Sequence, residues 1–332
     1  MMRLVRAELL RSWSRLLVWA TVAATLVICG VVAFNTLSTT APPSEQEVAE
    51  QTKFFNEAYQ DWEANHEAWY QDCLDSEAQE REALDDPTID WACEDNNEAP
   101  KLEDWFYNPT ARDIAPYTVG GLLQTLLAGS FVIGASLLAA EVASGNLGLW
   151  LTFAPRRTTV LASKLVAVAL TSLVYATLGA AVALAALAGP AAINGTLDLS
   201  PLEWRDLTLM AVRSTILAVV VGVVGGALGL LLRHTAAALG AAFGYLFVFE
   251  LMLGFNAGSM RRWMLVPNIS AVIDGRHELS WIECKVDRST GEQVCADVTK
   301  VLTQADGALY LGALAAAIVL VTWLVFRRRD VS

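Results

Sequence analysis

The chain has 332 residues, of which 55% are hydrophobic and 17% charged, and its mean hydropathy is +0.42. Soluble chains carry roughly 25% charged residues, so this composition excludes an ordinary soluble globular protein. The formal net charge of −12 is unevenly placed, because residues 38–115 hold 21 acidic and four basic side chains. The acidity therefore belongs to one polar insert in a membrane protein.

The first apolar run, residues 16–37, follows a basic segment, residues 1–15. That segment contains four arginines: Arg3, Arg6, Arg11 and Arg15. The run is long enough to cross a ~30 Å hydrocarbon core. It lacks a small-x-small cleavage site, which predicts a retained transmembrane helix and not a signal peptide. Residues 1–15 fit a cytoplasmic amphipathic helix, although topogenic charge explains the arginines equally well.

The acidic insert, residues 38–115, is predicted to be helical and extracellular. Ser44 and Glu47 have the spacing of a capping box. Residues at spacings of three and four then predict one face of a helix running to about Leu84. These residues are Phe55, Tyr59, Trp62, His66, Trp69 and Cys73. Such an aromatic stripe is more often a packed core than a binding site.

Five further apolar runs predict transmembrane helices, because backbone groups in lipid have no water partner. They cover residues 116–140, 159–189, 207–232, 235–256 and 308–326. Segments on one side of these six spans hold eleven basic residues against three acidic ones. The positive-inside rule therefore predicts cytoplasmic N- and C-termini. Residues 190–206 become an outer loop, and residues 327–332 become a cytoplasmic tail.

Two charged residues fall inside the predicted spans. Arg213 and Glu250 each lie six residues from the outer end of their span, or ~9 Å deep at ~1.5 Å per residue. Buried charges in membranes tend to pair or to face a cavity. We expect either an ion pair between them or two side chains that reach the surface separately.

Six glycines on the fourth and fifth spans follow a small-xxx-small pattern. They are Gly222, Gly225, Gly226, Gly229, Gly240 and Gly244. This pattern lets helix backbones approach closely, so it predicts either packing within the chain or a dimer seam.

Residues 257–307 form the second predicted outer segment. An apolar stretch at residues 264–275 is too short to span and predicts a re-entrant or surface helix. Cys284 and Cys295 then flank a polar stretch with a glycine turn, which is typical of a hairpin.

Four cysteines lie in the predicted outer segments, where disulfides persist. They allow three pairings. Proximity in sequence favours Cys73 with Cys93 and Cys284 with Cys295.

Several kinds of chemistry have no support in the sequence. It has no G-x-x-x-x-G-K-[ST] phosphate loop, no metal-ligand cluster and no basic, aromatic-interleaved surface for nucleic acid. We therefore expect no catalytic residue, metal or cofactor in this chain. The spans also lack the acid and histidine chains of a proton-coupled carrier. Energy, if the protein uses it, should therefore come from another polypeptide.

The link between the second and third spans, residues 141–158, is more elaborate than a simple turn. It begins with an acid, contains an apolar patch and ends in a basic pair, Arg156-Arg157. This composition suits a short surface helix that meets a protein partner, although an ordinary surface loop remains the alternative.

The motifs of this link resemble the corresponding loop of type 2 ABC exporter permeases. They read Glu141-x-x-x-Gly145-Asn146-Leu147, Leu151-Thr152-x-x-Pro155-Arg156-Arg157 and Leu161-x-x-Lys164. Asn146 departs from the threonine usual in that family. Residues 1–15 look like the family's basic connecting helix, and the cysteine-containing insert resembles that of actinobacterial members.

The resemblance implies an all-α polytopic membrane protein with six transmembrane helices, an acidic extracellular insert and a small disulfide-linked outer hairpin. The chain would be the permease subunit of an ATP-driven exporter in the bacterial plasma membrane. It would form half of the pathway with a second permease, identical or related, while separate ATPase subunits hold ATP and Mg. The alternatives are a membrane-anchored extracellular binding, sensor or assembly protein and a secondary carrier.

The same resemblance makes residues 141–158 a coupling helix, with Glu141 and Lys164 placed for ionic contacts at its ends. The expected ATPase-coupling residues are Glu141, Gly145, Leu147, Trp150, Leu151, Pro155, Arg156, Arg157 and Lys164.

Overall fold

The computed structural model describes residues 2–106, 109–143, 157–254, 257–286 and 293–328. They belong to two compact units, one formed by Ser38–Pro109 and the other by Met1–Leu37 with Thr110–Ser332. Six helices of the described residues are long and apolar enough to cross a membrane. The chain is therefore a mostly helical, multi-pass membrane protein.

The elements follow one another in chain order. The helices are α1 (Met2–Trp13), α2 (Leu16–Thr39), α3 (Glu45–Leu84), α4 (Cys93–Asn96), α5 (Ala111–Ala143), α6 (Arg157–Ile193), α7 (Pro201–Leu232), α8 (Thr235–Tyr245), α9 (Leu265–Asp274) and α10 (Gln304–Arg328). Strands β1 (Arg276–Val286) and β2 (Gln293–Thr303) form an antiparallel hairpin. Short 3₁₀ helices cover Leu102–Trp105 and Gly258–Trp263.

Local chemistry moves two helix boundaries away from the predicted spans. Helix α7 begins at Pro201, six residues before the predicted start at residue 207. Ser200 and Glu203 form a reciprocal capping box there, so the helix starts among polar residues that hydropathy alone discounts. The fifth span is not one α-helix to residue 256, because α8 passes at Leu246 into π-helical turns that end at Met252.

Helix α5 is the centre of the membrane unit and packs against α6 and α7. Glycines on α7 bring it close to α5: Gly225 faces the Phe131 carbonyl, and a Cβ at Gly229 would lie 2.5 Å from the Ala135 carbonyl oxygen. These glycines therefore serve packing within the chain. Gly240 on α8 differs, because a Cβ there would meet nothing within 4 Å.

The hairpin of β1 and β2 follows α9 directly. Gly275 ends α9 with a positive φ of 91°, which glycine adopts without a steric penalty. Leu279 and Leu302 of the two strands pack on Ala271 of α9. Cys284 and Cys295 face each other in register and form a disulfide, the pairing that their proximity in sequence favours.

The other unit is organised by α3, which has 40 residues. Ser44 caps its first turn, and its backbone N–H and hydroxyl lower the pKa of Glu47. A lowered pKa in the folded state means that this cap stabilises at neutral pH and is lost as pH falls through that pKa. A second disulfide, Cys73 with Cys93, joins α3 to α4.

The close approach of α7 to α5 gives a direct test. We expect Gly229→Leu to lower the free energy of unfolding by about 1–3 kcal/mol or more, because the new side chain must displace backbone. Gly240→Leu is the matched control and should change it by less than about 0.5 kcal/mol. Thermal unfolding in detergent, followed by circular dichroism, measures both. Equal effects of the two changes would contradict the packing role.

Candidate functional site

Three helices bring ionisable side chains together at one end of the membrane unit. Glu8 lies on α1, Glu141 in the last turn of α5 and Lys164 in the second turn of α6. These three residues are almost fully buried, with 8%, 3% and 3% of their surfaces exposed. Charged residues are rarely buried to this extent unless they are paired.

The Lys164 ammonium group lies between the two carboxylates. Its Nζ donates to Glu8 Oε1 at 2.7 Å and also to Glu141 Oε2. The other oxygen of Glu141, Oε1, faces Arg11 Nη1 at 3.5 Å and Arg15 Nη2 at 3.7 Å. We call Glu8, Arg11, Arg15, Glu141 and Lys164 the charge cluster.

Hydrogen bonds outside the ion pairs extend the charge cluster. Arg15 donates from Nη1 to the Ser136 carbonyl oxygen on α5 at 2.9 Å. Ser12, one turn after Glu8 on α1, hydrogen-bonds Thr171 on α6 across 3.2 Å. Helix α1 therefore contacts the bundle through polar side chains, among them Glu8 and Ser12.

The energetics of the charge cluster favour a fixed arrangement. Removing one partner from a buried ion pair costs about 3–5 kcal/mol, because the remaining charge stays uncompensated. Here one cation satisfies two carboxylates from two different helices, and Arg11 and Arg15 neutralise what remains. Separating α1, α5 and α6 at this end would thus leave several charges without a partner at once.

The structure locates three of the expected coupling residues. Glu141 and Lys164, which were expected to make ionic contacts at the ends of the link, are both buried and bind each other. Arg157 is the first residue of α6 and is half-buried. Six other expected coupling residues lie outside the described residues: Gly145, Leu147, Trp150, Leu151, Pro155 and Arg156.

Sequence reasoning missed three members of the charge cluster. Glu8, Arg11 and Arg15 were interpreted as part of a basic surface segment. One available signal was Glu8 itself, the only acid among the first 40 residues. An isolated acid beside a membrane span is a candidate partner for a buried lysine.

The two charges predicted inside the spans lie at opposite ends of α9. Glu250 accepts hydrogen bonds from the backbone N–H groups of Leu265 (2.5 Å) and Val266 (3.3 Å), and from the Tyr245 hydroxyl (3.1 Å). Arg213 on α7 donates to the Ile273 carbonyl oxygen at 3.4 Å, in the last turn of α9.

Among the ion pairs of the described residues, none joins Arg213 to Glu250. The ion pair anticipated as one alternative is thus replaced by separate partners. The helix dipole favours an anion at the N-terminus and a cation at the C-terminus of α9, and the Asp274 carboxylate at that C-terminus also interacts with Arg213. A short helix placed between two spans can therefore compensate both charges.

Comparison with known proteins gives one family. A family model described as "ABC-2 family transporter protein" matches residues 2–331. No curated protein and no solved structure matches the chain.

The buried position of Lys164 predicts a large effect of its removal. Lys164→Met should cost about 3–5 kcal/mol, because Glu8 and Glu141 lose their shared cation. Lys53→Met is the matched control: Lys53 pairs with Glu57 on the exposed surface of α3, where such pairs contribute about 0–1 kcal/mol. Thermal unfolding in detergent separates the two, and similar small shifts for both variants would rule out a stabilising role for the charge cluster.

The placement of Arg213 and Glu250 predicts additive effects. Their contacts lie at the two ends of a ten-residue helix, ~15 Å apart at ~1.5 Å per residue. In a double-mutant cycle, Arg213→Ala and Glu250→Ala should therefore add to within about 0.5 kcal/mol. Arg205→Ala, an exposed arginine on α7, controls for the general loss of a cation. A coupling energy above about 1 kcal/mol would instead indicate a direct pair.

Proposed function

The chain belongs to the ABC-2 transporter family and is a permease of an ABC transporter, and from that premise we propose that it drives export by coupling to separate ATPase subunits. The family consists of transmembrane components and not of catalytic subunits. In this proposal residues 141–158 carry the contact with the ATPase. Residues 144–156 dock on it, while Glu141 and Lys164 hold the two ends of this segment.

The charge cluster is the observation that supports this proposal best. Helix α5 ends at Ala143 and α6 starts at Arg157, so a force on the intervening residues acts on both helix ends. Lys164 joins these ends to each other and to α1. Because unpairing the buried charges is costly, the three helix ends would move as one body.

The charge cluster also suggests how motion of the ATPase would reach the transport pathway. Helix α5 is the most enclosed span and packs along α7 through the glycine contacts. A displacement at the base of α5 would thus be passed to α7 and then to α9, which Arg213 holds from α7. Binding energy from the ATPase would in this way shift α9 at the far end of the bundle.

We place the charge cluster on the cytoplasmic side of a bacterial plasma membrane. The segments at this end of the spans carry most of the basic residues outside the insert, including Arg11, Arg15, Arg157 and Arg327. The insert and the hairpin then lie outside, where disulfides such as Cys73–Cys93 persist. A second permease, identical or related, would complete the pathway.

The experiment separates docking from transmission. The tagged chain is purified with its co-expressed ATPase in lipid nanodiscs, and both the bound ATPase and its hydrolysis rate are measured. Trp150→Ala with Arg156→Glu should remove most of the bound ATPase without changing thermal stability, because these side chains would face the partner. Glu141→Gln should leave the ATPase bound but reduce permease-dependent stimulation about tenfold, the effect of losing ~1.5 kcal/mol in a charge-assisted hydrogen bond.

Lys53→Met, distant in sequence and exposed, is the control for a lost charge and should match wild type in both measurements. Full ATPase binding and stimulation by the Trp150 and Arg156 double variant would refute the docking role. Loss of binding in Glu141→Gln, at unchanged stability, would show that Glu141 contacts the ATPase directly.

A further inference from the structure

The unit Ser38–Pro109 has an aromatic stripe on α3 that its own chain covers incompletely. The stripe consists of Phe55, Tyr59, Trp62, His66 and Trp69, spaced alternately by four and three residues. Its rings follow one another closely, with centroids 5.8 Å apart for Phe55–Tyr59, 5.7 Å for Tyr59–Trp62 and 4.3 Å for Trp62–His66. The rings from Phe55 to His66 thus form a continuous row along the helix, and Trp69 follows one turn later.

Part of the stripe is packed as the sequence pattern predicts. Trp105 lies edge-on against Phe55, and Asn97 hydrogen-bonds His66 at 3.3 Å. Tyr59 and Trp69, however, remain 37% and 51% exposed. The sequence spacing predicts that both rings are buried, yet both are accessible to solvent. The stripe therefore has room for a partner.

The charge around the stripe restricts what that partner can be. Helix α3 carries twelve acidic and two basic residues. Exposed Glu63 lies one turn from Tyr59, and exposed Asp72 lies one turn from Trp69. Carboxylates beside accessible aromatic faces favour a group that is both cationic and apolar, because cations bind the ring faces as well as the acids.

We propose that the aromatic stripe of α3 binds a cationic amphipathic peptide segment. Apolar side chains of the peptide would cover Tyr59 and Trp69, while its lysine or arginine side chains would face Glu63 and Asp72. The extent of the surface matches a peptide: Tyr59 to Trp69 spans ~15 Å, and the whole acidic helix ~60 Å, at ~1.5 Å per residue. One small cation would leave most of this surface uncovered.

Charge complementarity also decides against two other occupants. A second copy of α3 would bring twelve further acidic residues against the first twelve, and like charges at close range are destabilising. An anionic lipid surface would be repelled for the same reason. The peptide proposal rests on the Ser38–Pro109 unit alone and stands apart from the coupling function proposed above.

Binding is tested on the full chain in phosphatidylcholine nanodiscs, which carry no net lipid charge. The probe is a fluorescent amphipathic helix of lysine and leucine of about 14 residues, ~21 Å long; its affinity is read by fluorescence anisotropy. Two peptides of equal length serve as comparisons, one with serine in place of leucine and one with glutamate in place of lysine. Empty nanodiscs give the background.

We expect Tyr59→Ala with Trp69→Ala to weaken binding of the lysine–leucine peptide about tenfold or more, since two aromatic contacts are lost. Tyr59→Phe with Trp69→Phe should restore affinity to within about threefold of wild type, because the rings and not their polar atoms make the contact. Leu84→Ala, an exposed apolar residue at the end of α3, should bind as wild type. Intact Cys73–Cys93, shown by non-reducing mass spectrometry, confirms that each variant keeps the fold of this unit.

Three results would overturn the proposal. The first is unchanged affinity in the double alanine variant. The second is equal binding of the lysine–serine peptide, which would leave only a nonspecific acidic surface. The third is equal binding of the glutamate–leucine peptide, which would exclude charge complementarity.

Discussion

The membrane unit depends on one buried cation, the Lys164 ammonium group, held by carboxylates from two other helices. Lipid and packed helices offer this charge no water, so its position requires both Glu8 and Glu141 to be present. Glu8 and Glu141, which precede Lys164 by 156 and 23 residues in sequence, are thereby held beside it. Helix α1 is too short to span a membrane, and this contact gives it a defined place against the bundle. Helix α1 is in this way a packed part of the membrane unit.

The two ends of the bundle follow the same principle with different groups. At one end, side chains neutralise each other within the charge cluster. At the other, backbone N–H groups of α9 compensate Glu250, while Arg213 donates to the Ile273 carbonyl oxygen and lies near the Asp274 carboxylate. Between them α5 and α7 meet through glycines, where the backbones touch and little adjustment is possible. The middle is therefore held by close backbone packing, and the ends are held by electrostatic contacts.

Much of the fold could be predicted from the sequence, because long apolar runs must be helical in lipid. Cysteines that are close in sequence and share a compartment also tend to pair. The site could be predicted only in part. The motif around Glu141 and Lys164 includes two members of the charge cluster, but it carried no information on their burial. An ion pair between Arg213 and Glu250 was one of two expectations, because the sequence shows only side chains as partners for a charge. The N–H groups of Leu265 and Val266 compensate Glu250 instead, and backbone donors of this kind have no signature in residue identity.

The π-helical turns at Leu246–Met252 carry a consequence for the way this span is compared with others. A π-helical turn holds one residue more than an α-helical turn, which rotates every later side chain by roughly 100° about the helix axis. Glu250, which contacts the N-terminus of α9, lies within this π-helical segment. A relative with one residue fewer in this segment would have a span of almost the same length and hydropathy. Its residue equivalent to Glu250, however, would point away from α9. Inserting or deleting a single residue in this membrane helix would thus form or remove the contact between Glu250 and α9.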